Sequence, residues 1–99
     1  MKIIKRNGAE VIFDIEKILM AVTKANEAVE EKVRMTPLQI TRIAESVRIS
    51  CEEVGRSCSV EEIQDLVEKS IMAHGAYEVA KSYITYRYTR SLLRQSNTT

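Results

Sequence analysis

Apolar positions recur along this chain with two different periods, and the change of period marks its elements. Over residues 2–13 the run Lys2-Ile3-Ile4-Lys5-Arg6, the pair Asn7-Gly8 and the run Ala9 to Phe13 read as a β-hairpin. Asn-Gly is the strongest two-residue turn signal, because both central positions of a type I′ turn need a positive φ. A two-residue loop there pairs Arg6 with Ala9, Lys5 with Glu10 and Ile4 with Val11. One face then carries Ile4, Arg6, Val11 and Phe13, and the other Ile3, Lys5, Glu10 and Ile12. Neither face is purely polar, and a lone hairpin is marginal in water, so the hairpin must lie on something.

From Asp14 onward the period is helical. Asp14 is an N-cap, and Ile15, Ile18, Leu19, Val22, Ala25 and Val29 form one stripe; the acidic stretch 27–32 reads as a frayed end and loop. Thr36-Pro37-Leu38-Gln39 is a capping box with proline at the first helical position. Ile40, Ile43, Ala44, Val47, Cys51 and Val54 follow as a core stripe that Gly55 ends. Ser59-Val60-Glu61-Glu62 opens a third helix with Ile63, Leu66, Val67, Ser70 and Ile71 inward, closed by His74-Gly75. A fourth runs from about residue 76 to about residue 95, and residues 56–58 could add a third strand to the hairpin. The predicted fold is α+β, mainly α: a four-helix bundle capped by a small N-terminal β-hairpin or three-stranded sheet.

Composition removes several classes of function. Ninety-nine residues allow one domain and one core. A formal charge of +1 provides no global attraction to nucleic acid or an anionic membrane, so neither is expected as a partner. No apolar run approaches the roughly 20 residues of a membrane helix, and Met1 to Arg6 lacks the features of a signal peptide, which points to the cytoplasm. Two cysteines, Cys51 and Cys58, and one histidine, His74, fall short of a zinc site, and no metal held by protein side chains is expected. There is no Walker A loop, no Gly-x-Gly-x-x-Gly and no Ser/His/Asp or Cys/His set, so the chain is not expected to be an enzyme in itself.

What remains is a set of cations and tyrosines that a plain bundle does not need. Lys5 and Arg6 flank the tight turn, where backbone N–H groups can help hold an anion, although edge strands often carry lysine in any case. Lys17 sits in the first turn of the first helix, where a cation opposes the macrodipole unless an anionic ligand reverses the sign. Ala76, Ala80, Tyr83, Ile84 and Arg87 share one stripe of the last helix, and Arg90 and Arg94 continue roughly that side. Its core face therefore turns basic, and a buried arginine needs a carboxylate or a phosphate as partner. All four tyrosines, 77, 83, 86 and 88, lie in this helix. A base could stack on one, though packing is the commoner use. Lys32 and Arg34 read as loop cations of no functional weight. From the residues alone this is an anion-binding helical module with a hairpin lid.

Ile3-Ile4-Lys5-Arg6-Asn7-Gly8, then Phe13-Asp14-Ile15-Glu16-Lys17-Ile18, resemble the opening of an ATP-cone domain. Ser59 to Glu68 resembles the family's third-helix segment and Tyr77 to Arg87 its last helix, so the resemblance covers residues 2 to about 92 in order. ATP cones are regulatory modules of ribonucleotide reductases and of a related zinc-ribbon repressor; in the reductases they sense ATP against dATP and set overall activity. The resemblance implies ATP or dATP as effector, with Mg²⁺. It places adenine under the hairpin near the first helix, with Val11, Ile12, Phe13, Asp14, Lys17 and Ile18 lining base and ribose. Phosphates would meet Lys5, Arg6, Lys17 and basic residues of the last helix: Arg87 or Arg90, beside Thr89 where the family has a lysine. Val60 and Gln64 stand where the class I enzymes tend to show Thr and His.

The tail Tyr86-Arg87-Tyr88-Thr89-Arg90 and Ser96 to Thr99 resembles the anaerobic, glycyl-radical reductases. By that likeness residues 1–95 are the nucleotide-binding domain and 96–99 start a linker to a catalytic domain, its expected partner, with self-association left open. The competing readings are the cone of a nucleotide-sensing transcriptional repressor and a helical interaction module that binds no nucleotide.

Overall fold

The computed structural model describes the backbone of residues 2–5 and 7–96, and the side chains of that span except those of residues 91 and 93–96. The elements are β1 (Lys2–Ile4), β2 (Glu10–Ile12), α1 (Ile15–Glu27), a 3₁₀ turn (Glu31–Val33), α2 (Pro37–Val54), β3 (Cys58–Ser59), α3 (Val60–Ala73) and α4 (Tyr77–Ser96). Each helix packs on its neighbours in sequence and α4 returns to α1, which closes a four-helix bundle. The sheet has the order β2-β1-β3, with β1 antiparallel to β2 and parallel to β3. Of the residues expected to carry the chemistry, Arg6 lies outside the described set, as do residues 97–99 of the expected linker.

The hairpin differs from expectation by one residue. Ile3 pairs with Val11 and Ile4 with Glu10. The Lys5 N–H donates to the Ala9 carbonyl at 2.8 Å, and the Gly8 N–H donates to the Lys5 carbonyl at 2.9 Å. The loop is thus three residues long, with Gly8 in the left-handed region at φ 84°. A three-residue loop with a left-handed glycine in it is one of the common hairpin connections. Because side chains alternate along a strand, a slip of one residue regroups the two faces. Ile3, Val11 and Phe13 turn together toward the helices and are half-buried, while Lys2, Ile4, Glu10 and Ile12 face outward.

The capping chemistry matches the sequence. The Asp14 carboxylate accepts from the Glu16 N–H at 3.1 Å. Thr36 and Gln39 exchange both bonds of a capping box, as do Ser59 and Glu62. Gly55, at φ 76°, ends α2 in the left-handed conformation that costs a glycine nothing. The core is filled by Val22, Ile43, Val47, Val67, Ile71 and Val79. Cys51 and Cys58 are buried within it as free thiols, and burial pushes the Cys51 thiol up to about 12, too high for a thiolate nucleophile. Among the described residues no helix is long and apolar enough to cross a membrane.

Two local readings are corrected. The α1 helix stops at Glu27, and Val29 packs against the core from the loop that follows. In α4 the inward face is Val79, Ala80 and Tyr83, while Ile84 is 41% exposed; the helix is rotated from the expected stripe so that Val79 joins the core in place of Ile84. Arg34 lies in the loop, as expected, and has a structural part there. Its guanidinium donates to the carbonyls of Val29 and Glu27 at 3.0 and 2.9 Å, which satisfies acceptors left over at the end of α1. The buried Asn26 closes the same loop by exchanging two hydrogen bonds with the backbone of Met35, at 2.7 and 3.0 Å.

Arg56 adds an ion pair to the α3 capping box, its guanidinium 2.7 Å from Glu62. The Arg56 bond, seconded by the Ser59 backbone N–H, holds the Glu62 carboxyl at about 2, below its ordinary 4.5. A carboxyl depressed by folding stabilises the native state fully above its unfolded pKa and loses that contribution as the pH falls through the folded one. Thermal midpoints measured from pH 5 to pH 2 should therefore fall less steeply for Glu62→Gln, which keeps the capping acceptor, than for the natural chain. Parallel curves would remove Glu62 from the acid response.

Candidate functional site

The small sheet does not seal against the bundle. Between them lies a cavity of about 210 Å³, and its walls follow from the periods of the elements that build it. The inward face of the hairpin contributes Ile3, Lys5, Val11 and Phe13, alternate positions of each strand. The N-cap and first turns of α1 contribute Asp14, Lys17, Ile18 and Ala21, which share one face because positions three and four apart are neighbours on a helix. Helix α3 does the same with Val60, Ile63, Gln64 and Val67. Tyr83 of α4 lines the cavity, and Ile12, 79% exposed, stands at its rim.

Most of this lining is apolar, and the few polar groups are specific. The Gln64 Oε1 is buried and has no hydrogen-bond partner. An unmet buried acceptor costs about 1–3 kcal/mol, so a donor entering the cavity would recover that loss. Lys5 and Lys17 reach the cavity from exposed positions, and among the described residues neither ammonium is held in an ion pair. Asp14 is the one carboxylate of the lining and also caps α1, so the positive end of that helix is already partly answered. Burial pushes the Tyr83 phenol up to about 12, so it stays neutral.

Of the residues singled out in the sequence, Lys5, Val11, Ile12, Phe13, Asp14, Lys17, Ile18, Val60 and Gln64 converge on this one cavity. Arg87, Thr89 and Arg90 do not line it. Thr89 and Arg90 are exposed further along α4. Arg87 takes the carboxylate alternative: it donates to Asp65 at 2.9 Å and to Glu68. His74 caps the end of α3 through Nδ1, 2.9 Å from the Ser70 carbonyl oxygen. Tyr77 and Tyr88 are exposed, so Tyr83 is the tyrosine in position to meet a ligand. The unforeseen lining residues include Ala21 and Val67, which the helical period from Lys17 and Gln64 could have supplied. Ile3 was misassigned by the hairpin register. Among the described residues there is no cluster of three groups able to hold a metal ion.

The family profile for the ATP cone domain matches residues 1–92. The chain belongs to the ATP-cone family. This ATP cone is 33% identical, over 97% of its length, to the ribonucleoside-diphosphate reductase subunit alpha of Chlamydia trachomatis, of which it covers 10%. It is 33% identical, over 94% of its length, to the anaerobic ribonucleoside-triphosphate reductase of Haemophilus influenzae, covering 13% of that protein. It is 36% identical, over 95% of its length, to the vitamin B12-dependent ribonucleoside-diphosphate reductase of Thermoplasma acidophilum, covering 12%. The cone thus spans roughly a tenth of the relatives it matches, and the matched stretches are their N-terminal regions.

The orphaned amide makes a direct prediction about the ligand-free cone. Gln64→Leu should raise its stability by an amount on the order of 1–3 kcal/mol, the cost of the unmet acceptor, read as a higher thermal midpoint. An unchanged or lower midpoint would show that Oε1 has a partner in solution.

Proposed function

We propose that this cone binds ATP or dATP, with Mg²⁺, in the cavity beneath the hairpin, and that the bound nucleotide sets the overall activity of a ribonucleotide reductase. The observation that carries the reading is the convergence, in one largely apolar cavity, of an unmet buried acceptor at Gln64 with two ammonium groups that, among the described residues, form no ion pair. Ligand pockets of drug size run to about 300–1,000 Å³, so a cavity of about 210 Å³ suits a base and the ribose side of a nucleotide. The triphosphate would lie along the open rim, toward Lys5 and Lys17. Ile3, Val11, Phe13 and Ile18 offer the apolar surface for the adenine ring, and Gln64 would accept a hydrogen bond from the adenine amine or a ribose hydroxyl. Mg²⁺ commonly binds through one or two carboxylates plus substrate phosphates; Asp14 fits that need, and the ion would screen the phosphate charge.

Arg6 and Arg90 complete the proposed phosphate set. The parent chain is proposed to be an anaerobic reductase, on the likeness of the segment Tyr86 to Arg90; the relatives themselves include diphosphate, triphosphate and B12-dependent enzymes. A domain of this size would act by favouring one arrangement of its neighbour over another, because the two nucleotides differ by a single 2′-hydroxyl.

Isothermal titration of the chain with ATP tests the reading. Lys5→Ala and Lys17→Ala should each weaken ATP by roughly ten- to a hundredfold, the value of a charge-assisted hydrogen bond. Lys32→Ala, whose ammonium lies 3.5 Å from the exposed Glu30 and does not line the cavity, should leave the affinity alone. GTP should bind far more weakly; equal affinity for GTP would end the claim for adenine. In the full-length reductase dATP should lower turnover, and removal of residues 1–92 should abolish that inhibition. Inhibition that persists in the truncated enzyme would place the activity switch elsewhere.

A further inference from the structure

Among the described residues of the expected phosphate set, Arg87 is the one that is both partly buried and held by carboxylates. Its side chain is 23% exposed, and one guanidinium nitrogen, Nη1, serves both Asp65 and Glu68. Burial works against its charge, and the bonds from Glu68 and Asp65 outweigh it, leaving the guanidinium above its ordinary pKa. A phosphate brought to this nitrogen would have to displace two carboxylates or lie beside them.

The position of these partners is the informative part. Asp65 directly follows Gln64, and Glu68 directly follows Val67; Gln64 and Val67 both line the cavity. Arg87 lies one helical turn beyond Tyr83, the α4 residue of the lining. The ion cluster therefore grips both helices one step away from the cavity. Among the described residues it is also the only ion pair that joins two helices, since the others lie within α2, within the loop before it, or at the start of α3. Gln64 keeps an unmet acceptor inside the protein, on the same helix as both partners of Arg87.

We propose that Arg87 is a positioning residue of the nucleotide site and not a phosphate ligand: by gripping Asp65 and Glu68 it fixes α3 against α4, and so the spacing of Gln64 and Tyr83 across the cavity that the nucleoside needs. The inference rests on the nucleotide-binding reading above. Preorganisation of this kind improves affinity without any contact between the residue and the ligand. It also predicts that the effect of losing Arg87 does not depend on the ligand's phosphates.

The test compares adenosine with ATP by isothermal titration on the 99-residue chain, with folding checked by circular dichroism. Arg87→Met should weaken both ligands by the same factor, roughly three- to thirtyfold for a coupling of this kind. Arg87→Lys, which retains a cation for the two carboxylates, should recover part of the loss. The double substitution Asp65→Asn with Glu68→Gln should also weaken both ligands, although Arg87 is still present and now free. Loss of ATP affinity with adenosine unaffected in Arg87→Met, or tighter ATP binding in the double variant, would make Arg87 a phosphate ligand and overturn the proposal. Unchanged affinity for both ligands would overturn it as well. If Arg87→Met does not fold, the lysine and double variants carry the same comparison. A natural chain that binds neither ligand would instead refute the nucleotide-binding reading itself.

Discussion

The site depends first on the loop that joins β1 to β2. Gly8 at φ 84° allows the chain to turn in three residues, and that length sets the register in which Ile3 meets Val11. In this register Ile3, Val11 and Phe13 face the helices together and Lys5 comes to the cavity with them. A loop one residue shorter would split this group between the two faces of the sheet. An added Cβ at Gly8 would meet nothing within 4 Å, so the demand on this residue is one of backbone conformation and not of space.

A sheet of three short strands cannot cover the end of a four-helix bundle. Strands β1 and β2 have three residues each and β3 has two. The helices below are well packed where they meet one another, with Val22, Val47, Val67 and Val79 excluded from solvent. Packing fails where the sheet meets α1 and α3, and the cavity is that failure. The polar groups there are the ones a self-sufficient fold would avoid: a buried amide with one acceptor unmet, and two lysines that, among the described residues, form no ion pair. Elsewhere the chain pairs its charges readily, as Arg48 does with both Glu45 and Glu52. Natural proteins break local rules mainly where a ligand completes them, and this concentration of exceptions in one place favours a binding site over a structural defect.

Helix α4 connects that site to the exterior. Its inward face presents Tyr83 to the cavity and Arg87 to α3, and its Ser82 hydroxyl donates to the Ala25 carbonyl on α1 at 2.8 Å. The opposite side carries Tyr77, Ile84 and Tyr88, all exposed. A change in spacing between α3 and α4 would therefore be felt on both faces of one rigid element.

Much of this protein was legible in its sequence. The helices announced themselves through caps and periods, because N-cap bonds and 3.6-residue stripes are local and involve residues a few positions apart: Asp14, the Thr36 and Ser59 boxes, and Gly55 all stand where the pattern put them. The family likeness drew on the same residues and led to most of the cavity lining. Tertiary structure decided what no short window contains. The hairpin register rested on whether the loop held two residues or three, and the Asn7-Gly8 pair is compatible with either. The rotation of α4 shows only in which side chains reach the core, Val79 and not Ile84. The partners of Arg87 stand 22 and 19 positions away, and nothing in the periodicity of α4 could tell a carboxylate from a phosphate. Local chemistry specifies an element by itself; the phase in which two elements meet, and so which charged group answers which, is set only when their surfaces are in contact.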